Sequence, residues 1–236
     1  MRFLATLTTI AFLIPGTLVI GSLAILVSWV PPRGNLSLFL GRLWAHCLVA
    51  SAWVRLTVEI DPAVEPGRGY LFLANHQSYF DIPVLLATLP GQVRFAAKKN
   101  LFQIPIFGWS IRAAGFIPVD RENRRQALEV YAAASARLKA GTSVLFFPEG
   151  TRSPDGRLHH FQRGGFLVAQ KAGAAIVPVG VSGTFDLLPR HRFSIRPGPV
   201  RVRIGAPIET SEYPVSRKDE LIERVKSEVA KLAGLD

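Results

Sequence analysis

The chain opens with a long apolar run, and shorter apolar stretches separated by polar loops follow it. Residues 3–30 contain no charged side chain, and as a helix they would reach about 42 Å, more than the roughly 30 Å hydrocarbon core of a bilayer. We therefore predict a membrane-anchoring element here. Pro15-Gly16 divides the run and leaves two forms open, a single kinked helix or two short arms in one leaflet. A cleaved signal peptide is the competing interpretation, but no cleavage-site pattern follows the run.

A second apolar segment covers residues 36–54 and, unlike the first, includes Arg42, Trp44, His46 and Trp53. This mixture is typical of a helix at the membrane interface, where aromatic rings lie near the headgroups. A core helix of the following domain is the alternative. We assign residues 1–54 to the anchoring helices and residues 55–236 to a separate domain.

Beyond residue 54, strand-like and helix-like patterns alternate. Predicted strands cover residues 55–60, 70–74, 92–97, 115–119, 141–147 and 175–179, and a hairpin-like pair covers residues 193–204 around Pro197-Gly198. Predicted helices start near Asp81, at residue 124 after a cap at Asn123, at residue 161, and at Ser216. This alternation indicates an α/β fold, with a mixed, largely parallel sheet flanked by helices on both faces.

Composition narrows the partners and the chemistry. The formal charge of +11, from 28 basic and 17 acidic residues, predicts an anionic partner such as nucleic acid, phospholipid headgroups or CoA. The basic residues are scattered among apolar strands and no nucleic-acid reader is recognisable, which argues against nucleic acid. The single cysteine, Cys47, excludes an intramolecular disulfide and fits a reducing compartment. Neither H-E-x-x-H nor a cysteine pair at metal spacing occurs, so we expect no metal.

One strand-like run stops at His76, and Asp81 follows five residues later. On a single helix, this spacing would separate the two side chains by about 140° around the axis, so a bend must lie between them if they meet. A strand at residues 70–74, a tight loop and a helix from Asp81 supply that bend. The carboxylate would then fix the imidazole tautomer at Nδ1 and leave Nε2 as a proton acceptor. Alternatively, Asp81 caps its helix and His76 is an ordinary loop residue.

A second strand-like run ends in a polar loop, with the sequence Phe147-Pro148-Glu149-Gly150-Thr151-Arg152-Ser153. Because open α/β sheets bind ligands beyond the carboxyl ends of their strands, we expect this loop and His76 to share a pocket. No G-x-S-x-G nucleophile elbow occurs, so we place the nucleophile on the substrate, as a hydroxyl that His76 deprotonates. Ser78 or Ser153 as a covalent nucleophile is the alternative.

Four blocks in the order found here resemble those of the glycerolipid acyltransferases, over roughly residues 70–180. They are Asn75-His76-Gln77-Ser78-Tyr79-Phe80-Asp81 for H-x4-D, Gly115-Phe116-Ile117-Pro118-Val119-Asp120-Arg121 for G-x-x-F-I-D-R, Phe147-Pro148-Glu149-Gly150-Thr151-Arg152-Ser153 for F-P-E-G-T-R-S, and Ile176-Val177-Pro178-Val179-Gly180 for a short proline block. Pro118-Val119 departs from the usual pattern, lengthens its loop by one residue and puts the placement of Arg121 in doubt.

The resemblance implies an enzyme that moves a fatty acyl group from acyl-CoA or acyl-carrier protein to lysophosphatidic acid or a related lysolipid, giving phosphatidic acid without a cofactor. It also implies the cytoplasmic membrane of a bacterium, with the catalytic domain on the cytoplasmic side of an anionic phospholipid bilayer. His76 and Asp81 are then the catalytic pair. The residues implied in substrate binding are Lys98, Arg121, Glu149, Gly150, Thr151 and Arg152.

For the implied binding residues, more than one role remains open. Arginine binds phosphate in a bidentate manner, which favours Arg121 and Arg152 as phosphate contacts. Glu149 either orients Arg152, contacts the glycerol, or forms a surface ion pair with Arg157 or Arg163. Lys98 contacts phosphate or is a solvated charge.

Overall fold

A seven-stranded sheet forms the centre of the chain that the structure describes, a computed structural model of residues 1–32, 34–120, 124–189 and 192–235. The strands are β1 Arg55–Ile60, β2 Leu71–Ala74, β3 Val93–Lys98, β4 Ile117–Val119, β5 Ser143–Phe146, β6 Ile176–Ser182 and β7 Pro199–Ile204. Their order is β1-β7-β6-β2-β5-β3-β4, and only β6 and β7 pair in antiparallel fashion. The prediction of a mixed, largely parallel sheet is confirmed.

Helices cover both faces of this sheet, as predicted. They are α1 Arg2–Leu26, α2 Asn35–Ser51, α3 Asp81–Thr88, α4 Phe107–Ala113, α5 Arg124–Lys139, α6 Gly164–Ala172, α7 Thr184–Leu187 and α8 Lys218–Ala233. Alternate residues of β2 face opposite layers, with Phe72 in the core shared with α2 and α3 and Leu73 in the core shared with α5, α6 and α8. Burial on both faces explains why this strand reads as an unbroken apolar run. The cap predicted at Asn123 lies outside the described residues.

Five strands, β2 to β6, run parallel, so their carboxyl ends meet at one edge of the sheet. The side chain of Asn75 fixes the first loop at that edge. Its Nδ2 donates to the Val181 carbonyl, and its Oδ1 accepts from the Val181 amide, both at 2.8 Å. The buried amide therefore continues the pairing of β2 with β6 beyond the last strand residue.

The N-terminal apolar run forms one continuous helix, α1, with Pro15 inside it. The two-arm form left open by Pro15-Gly16 is therefore wrong. Together with the 3-10 turn that follows it, this helix extends over Arg2–Trp29, contains an 18-residue stretch with a mean hydropathy of 2.5, and is long and apolar enough to cross a membrane. A proline is tolerated in such a helix when neighbouring helices support it.

The neighbouring support comes from α2, which packs antiparallel to α1. Three side-chain hydrogen bonds join the two helices along their length, Thr8 to the Ser51 carbonyl, Trp44 to Thr17, and Ser37 to the Ala24 carbonyl. The boundary predicted between residues 54 and 55 falls between α2 and β1.

Helix α2 has features of both predicted roles, a helix at the membrane interface and a core helix. Leu38 and Val49 are buried in the core, whereas Phe39 is 63% exposed. Arg42 does not point outward to headgroups, because its guanidinium donates to the carbonyls of Leu89 and Gly91, both at 2.6 Å. The charge predicted at the membrane interface therefore fastens α2 to the loop before β3.

The hairpin predicted at residues 193–204 is wrong, because only its second half, β7, is a strand. Phe193 is 94% exposed. Pro197 and Pro199 flank the expected turn and have no amide hydrogen, so a ladder between the two halves would lack donors. Instead, β7 lies between β1 and β6.

Candidate active site

His76 and Asp81 meet just beyond the carboxyl end of β2. The imidazole Nδ1 lies 2.8 Å from Oδ2 of Asp81, which is the first residue of α3 and completely buried. The same Oδ2 accepts the backbone amides of Gln77 and Ser78 at 2.6 and 2.8 Å. Oδ1 of Asp81 has no hydrogen-bond partner among the described residues and Oδ2 bonds only groups that precede the helix, so the cap alternative is wrong. The predicted bend brings the pair together.

This contact determines which imidazole nitrogen can accept a proton. An ionised carboxyl only accepts hydrogen bonds, so Nδ1 of His76 carries the hydrogen and Nε2 keeps its lone pair. Nε2 makes no hydrogen bond to any described residue, and the side chain is 10% exposed. The arrangement therefore presents a proton acceptor at the edge of the sheet.

The loop after β5 closes over the imidazole from the other side. The Phe147 ring stacks on the His76 ring with centroids 3.9 Å apart and an interplanar angle of 17°. The Ser153 amide donates to the His76 carbonyl at 2.7 Å. The two polar loops identified in the sequence thus form one site.

Glu149 is buried beneath this site and holds the two loops together. Its Oε1 accepts the His76 amide at 2.7 Å, and its Oε2 accepts the His159 amide at 3.1 Å. Within the described residues its carboxylate pairs with no arginine, so none of the arginine pairings considered for it forms. Burial raises the pKa of the Glu149 carboxyl above its ordinary value of 4.5, against the effect of these amides.

Replacing Glu149 with glutamine should reveal this raised pKa. Between pH 4.5 and the raised pKa, the folded protein binds more protons at this carboxyl than the unfolded chain does. The stabilisation from the protonated form is complete below pH 4.5 and is lost as pH rises through the folded pKa. We expect the Tm of the wild type, relative to Glu149→Gln, to fall as pH rises across this window. Exposed Glu212→Gln serves as the control, and a Tm difference that is flat with pH for Glu149→Gln would contradict the shift.

Arg152 belongs to the loop after β5, and its guanidinium makes no hydrogen bond to any described residue. Its Cζ lies 3.5 Å from the centroid of the Tyr79 ring, and its buried Nη1 has no hydrogen-bond partner. Gly150 shapes the loop before it with a φ of +74°, and a Cβ there would lie 2.6 Å from the Gln162 amide nitrogen. Thr151 is exposed between them. The loop therefore presents a cation with free donors to the site.

Of the other predicted binding residues, Lys98 is less closely placed and Arg121 is not described. Lys98 ends β3, which is separated from β2 by β5, and its side chain is exposed. Its neighbour Lys99 pairs with Asp120 at 3.5 Å. Arg121 lies outside the described residues.

Neither serine considered as a nucleophile contacts the imidazole. The Ser78 hydroxyl is completely buried and donates to the Leu188 carbonyl at 2.8 Å. The Ser153 hydroxyl donates to Asp155 at 3.0 Å. In the part of the chain described, no group of three or more His, Cys, Asp or Glu side chains is placed to hold a metal ion. Both serine hydroxyls are therefore hydrogen-bonded to partners other than the imidazole.

An apolar cavity of about 80 Å³ lies between the N-terminal helices and the start of α3. Ile82, the residue after Asp81, forms part of its wall. The other lining residues are Thr17, Ile20, Gly21, Ala24, Ser37, Leu38, Gly41, Trp44, Leu86, Phe107, Ser110, Ile111, Ala114 and Phe116. An apolar space therefore lies against α3, the helix that begins at Asp81.

Two aromatic side chains have roles that the motifs alone did not indicate. Tyr79 and Phe147 lie within the quoted motifs, but nothing in the sequence shows that their rings stack on Arg152 and His76. Each directly follows a buried segment, residues 70–78 for Tyr79 and residues 143–146 for Phe147. Their place two residues before a candidate site residue, Asp81 for Tyr79 and Glu149 for Phe147, is the signal that could have identified them.

Comparisons with known proteins agree on one family. The family model described as "Acyltransferase" matches residues 55–182. The chain is 35% identical to the chloroplastic 1-acyl-sn-glycerol-3-phosphate acyltransferase of Arabidopsis thaliana over 87% of its own length and 56% of that protein. It is 34% identical to the 1-acyl-sn-glycerol-3-phosphate acyltransferase of Saccharomyces cerevisiae over 75% of its own length and 58% of that protein.

Among solved structures, the fold is similar to that of the 1-acyl-sn-glycerophosphate acyltransferase PlsC from Thermotoga maritima. The TM-score is 0.82 and the sequences are 27% identical, with 98% of this chain and 95% of that chain covered. By contrast, the chain spans a little more than half the length of the curated relatives named above.

Proposed function

This chain belongs to the acyltransferase family, and we therefore propose that it transfers a fatty acyl group to the free sn-2 hydroxyl of 1-acylglycerol 3-phosphate, giving phosphatidic acid. The donor is a thioester, acyl-CoA or acyl-carrier protein. The relatives that bear this activity in their names support the acceptor.

The observation that carries the proposal is the 2.8 Å contact between His76 and the buried Asp81. Nε2 of His76 removes the proton from the glycerol hydroxyl as that oxygen attacks the thioester carbonyl. The tetrahedral intermediate collapses, the carbon–sulfur bond breaks, and the imidazolium returns its proton to the departing thiolate. Asp81 stabilises the imidazolium between these steps. The sequence of steps requires neither a covalent acyl-enzyme nor a cofactor.

The surroundings of the pair suit a substrate with an anionic head and an apolar chain. Arg152 offers free N–H donors, and arginine binds phosphate oxygens in a bidentate manner. The cavity beside Ile82 offers an apolar space for part of a fatty chain. Arg152 and the residues that line the cavity belong to the loops and helices that also position the catalytic pair.

A membrane location follows from the same proposal, since both lipid substrate and product reside there. Many large apolar side chains of α1 are exposed, which soluble monomers rarely tolerate as a contiguous patch. They include Phe3, Leu7, Ile10, Ile14, Leu18 and Leu26. Each basic residue near an anionic bilayer adds about 1 kcal/mol to attachment. Because α2 packs on both α1 and α3, the anchor fixes the distance of Asp81 from the membrane surface.

The direct test is a transfer assay with the purified protein in detergent or vesicles. Radiolabelled acyl-CoA and acyl-carrier protein are each offered with a panel of lysolipids, and the products are separated. We expect labelled phosphatidic acid from 1-acylglycerol 3-phosphate. If only another lysolipid gave a labelled product, that lysolipid would be the acceptor instead of 1-acylglycerol 3-phosphate. The absence of any acylated lipid would refute the proposal.

Replacing Arg152 with alanine should lower kcat/KM for phosphate-bearing acceptors far more than for neutral ones. A charge-assisted contact of this type contributes about 1.5–3 kcal/mol, or about 10-fold to 150-fold in kcat/KM. Steady-state kinetics with lysophosphatidic acid and with monoacylglycerol measure the difference. Arg157→Ala, at an exposed arginine of the same loop, is the control. Equal losses for both acceptors would mean that Arg152 supports the fold instead.

A further inference from the structure

Among the described residues, the ring of Tyr79 is the only side chain with a hydrogen bond, ion pair or ring contact to the Arg152 guanidinium. The Arg152 guanidinium makes no hydrogen bond and no ion pair with any of them, and Nη1 is buried without an acceptor. Its Cζ lies 3.5 Å from the ring centroid of Tyr79, which is within stacking distance. The stacked ring is therefore the specific side-chain contact that fixes the plane of the guanidinium.

Tyr79 is well suited to this task because its backbone is fixed on both sides. Ser78 is completely buried and its amide donates to Asp81 at 2.8 Å, and Phe80 is 5% exposed. The Tyr79 side chain itself is 59% exposed, so the fold does not need it for its core. The same loop carries His76, and its geometry is set by Asp81.

We propose that Tyr79 is a positioning residue that stacks on Arg152 and directs its N–H donors to the phosphate of the acceptor. The inference rests on the proposed function. In 1-acylglycerol 3-phosphate, the sn-2 hydroxyl is on the carbon next to the one that bears the phosphate ester. Because His76 and Tyr79 share one rigid loop, the placement of the phosphate also sets the distance between the hydroxyl and Nε2 of His76.

A stacked guanidinium suits this purpose for two reasons. The ring face occupies one side of the guanidinium plane without using any N–H donor, so the donors at its edge remain available for oxygens. Nη1 is buried and has no acceptor among the described residues, so the protein itself does not use these N–H groups. Cation–π contacts of this kind change affinities by about twofold to thirtyfold, according to how far the pair is desolvated.

The test compares Tyr79→Leu with Tyr79→Phe, which keeps the ring and removes only the hydroxyl. We expect Tyr79→Leu to raise KM for lysophosphatidic acid by about twofold to thirtyfold, with a smaller change in kcat. Tyr79→Phe should stay close to the wild type. KM for monoacylglycerol should be similar in all three proteins, and their Tm values in detergent should agree.

A double-mutant cycle separates positioning from a general structural effect. In the Arg152→Ala background, Tyr79→Leu should have little further effect on KM for lysophosphatidic acid, because the ring has nothing left to hold. Independent, additive losses would overturn the inference, as would equal losses for phosphate-bearing and neutral acceptors.

Binding of glycerol 3-phosphate, followed by the shift in Tm, gives a readout that does not depend on turnover. The wild type and Tyr79→Phe should be stabilised, and Tyr79→Leu less so. If the wild type acylates no lysolipid, the proposed function fails, whereas a glycerol 3-phosphate shift that Tyr79→Leu weakens would still support the placement of the phosphate. An active wild type whose shift is unchanged in Tyr79→Leu would overturn the inference alone.

Discussion

Replacing His76 with alanine should lower kcat for acyl transfer by about 10²–10⁴-fold. Without the imidazole, no described group near Asp81 can take the proton of the attacking hydroxyl. KM for lysophosphatidic acid should change much less, since Arg152 and the apolar cavity remain. Initial rates with saturating acyl-CoA measure the effect.

Two measurements make this result specific. His160→Ala removes an exposed histidine of the loop after β5 and should leave kcat near the wild-type value. The Tm of His76→Ala should show that the protein still folds, although Phe147 loses its stacking partner. An alanine variant with kcat within a few-fold of the wild type would exclude His76 as the general base.

Replacing Asp81 with asparagine should have a comparable effect, about 10²–10⁴-fold on kcat. The amide oxygen can still accept the backbone amides of Gln77 and Ser78, but the negative charge that stabilises the imidazolium is gone. The neutral amide also no longer requires the hydrogen to be on Nδ1, so the tautomer with the hydrogen on Nε2 becomes accessible. That tautomer has no acceptor facing the substrate.

Alanine at the same position separates catalysis from stability. Asp81→Ala leaves two buried amides without an acceptor, and each unsatisfied group costs about 1–3 kcal/mol. Its Tm should therefore fall well below that of Asp81→Asn, whereas both variants lose activity. Asp186→Asn, at an exposed aspartate of α7, is the control. Full activity of Asp81→Asn would contradict the orienting role.

Local patterns in the sequence were sufficient for the elements that are buried on both faces. The unbroken apolar runs of β2 and β5 predict central parallel strands, and the spacing of His76 and Asp81 requires a bend. Both features depend on neighbours within a few residues. They could therefore be predicted without knowledge of the tertiary structure.

Features that depend on contacts across the sheet could not be predicted in this way. Glu149 follows a proline and precedes a glycine, which is typical of an exposed turn, but its carboxylate is buried and holds amides from two loops. Its neighbours are set by the parallel register of β2 and β5. The ring of Tyr79 under Arg152 depends on the same register. For α1, packing against α2 decides how the chain passes Pro15, and that contact joins residues far apart in sequence.

The antiparallel packing of α1 against α2 affects any attempt to convert this protein into a water-soluble form. Thr17, Ile20, Gly21 and Ala24 of α1 form one wall of the apolar cavity beside Ile82. Deleting the first helix would thus open that cavity to solvent at the same time as it removes the proposed membrane anchor. Truncation of α1 and retention of this apolar cavity are therefore mutually exclusive. Polar substitutions confined to the outer surface of the helix, at positions such as Phe3 and Ile14, offer the alternative route.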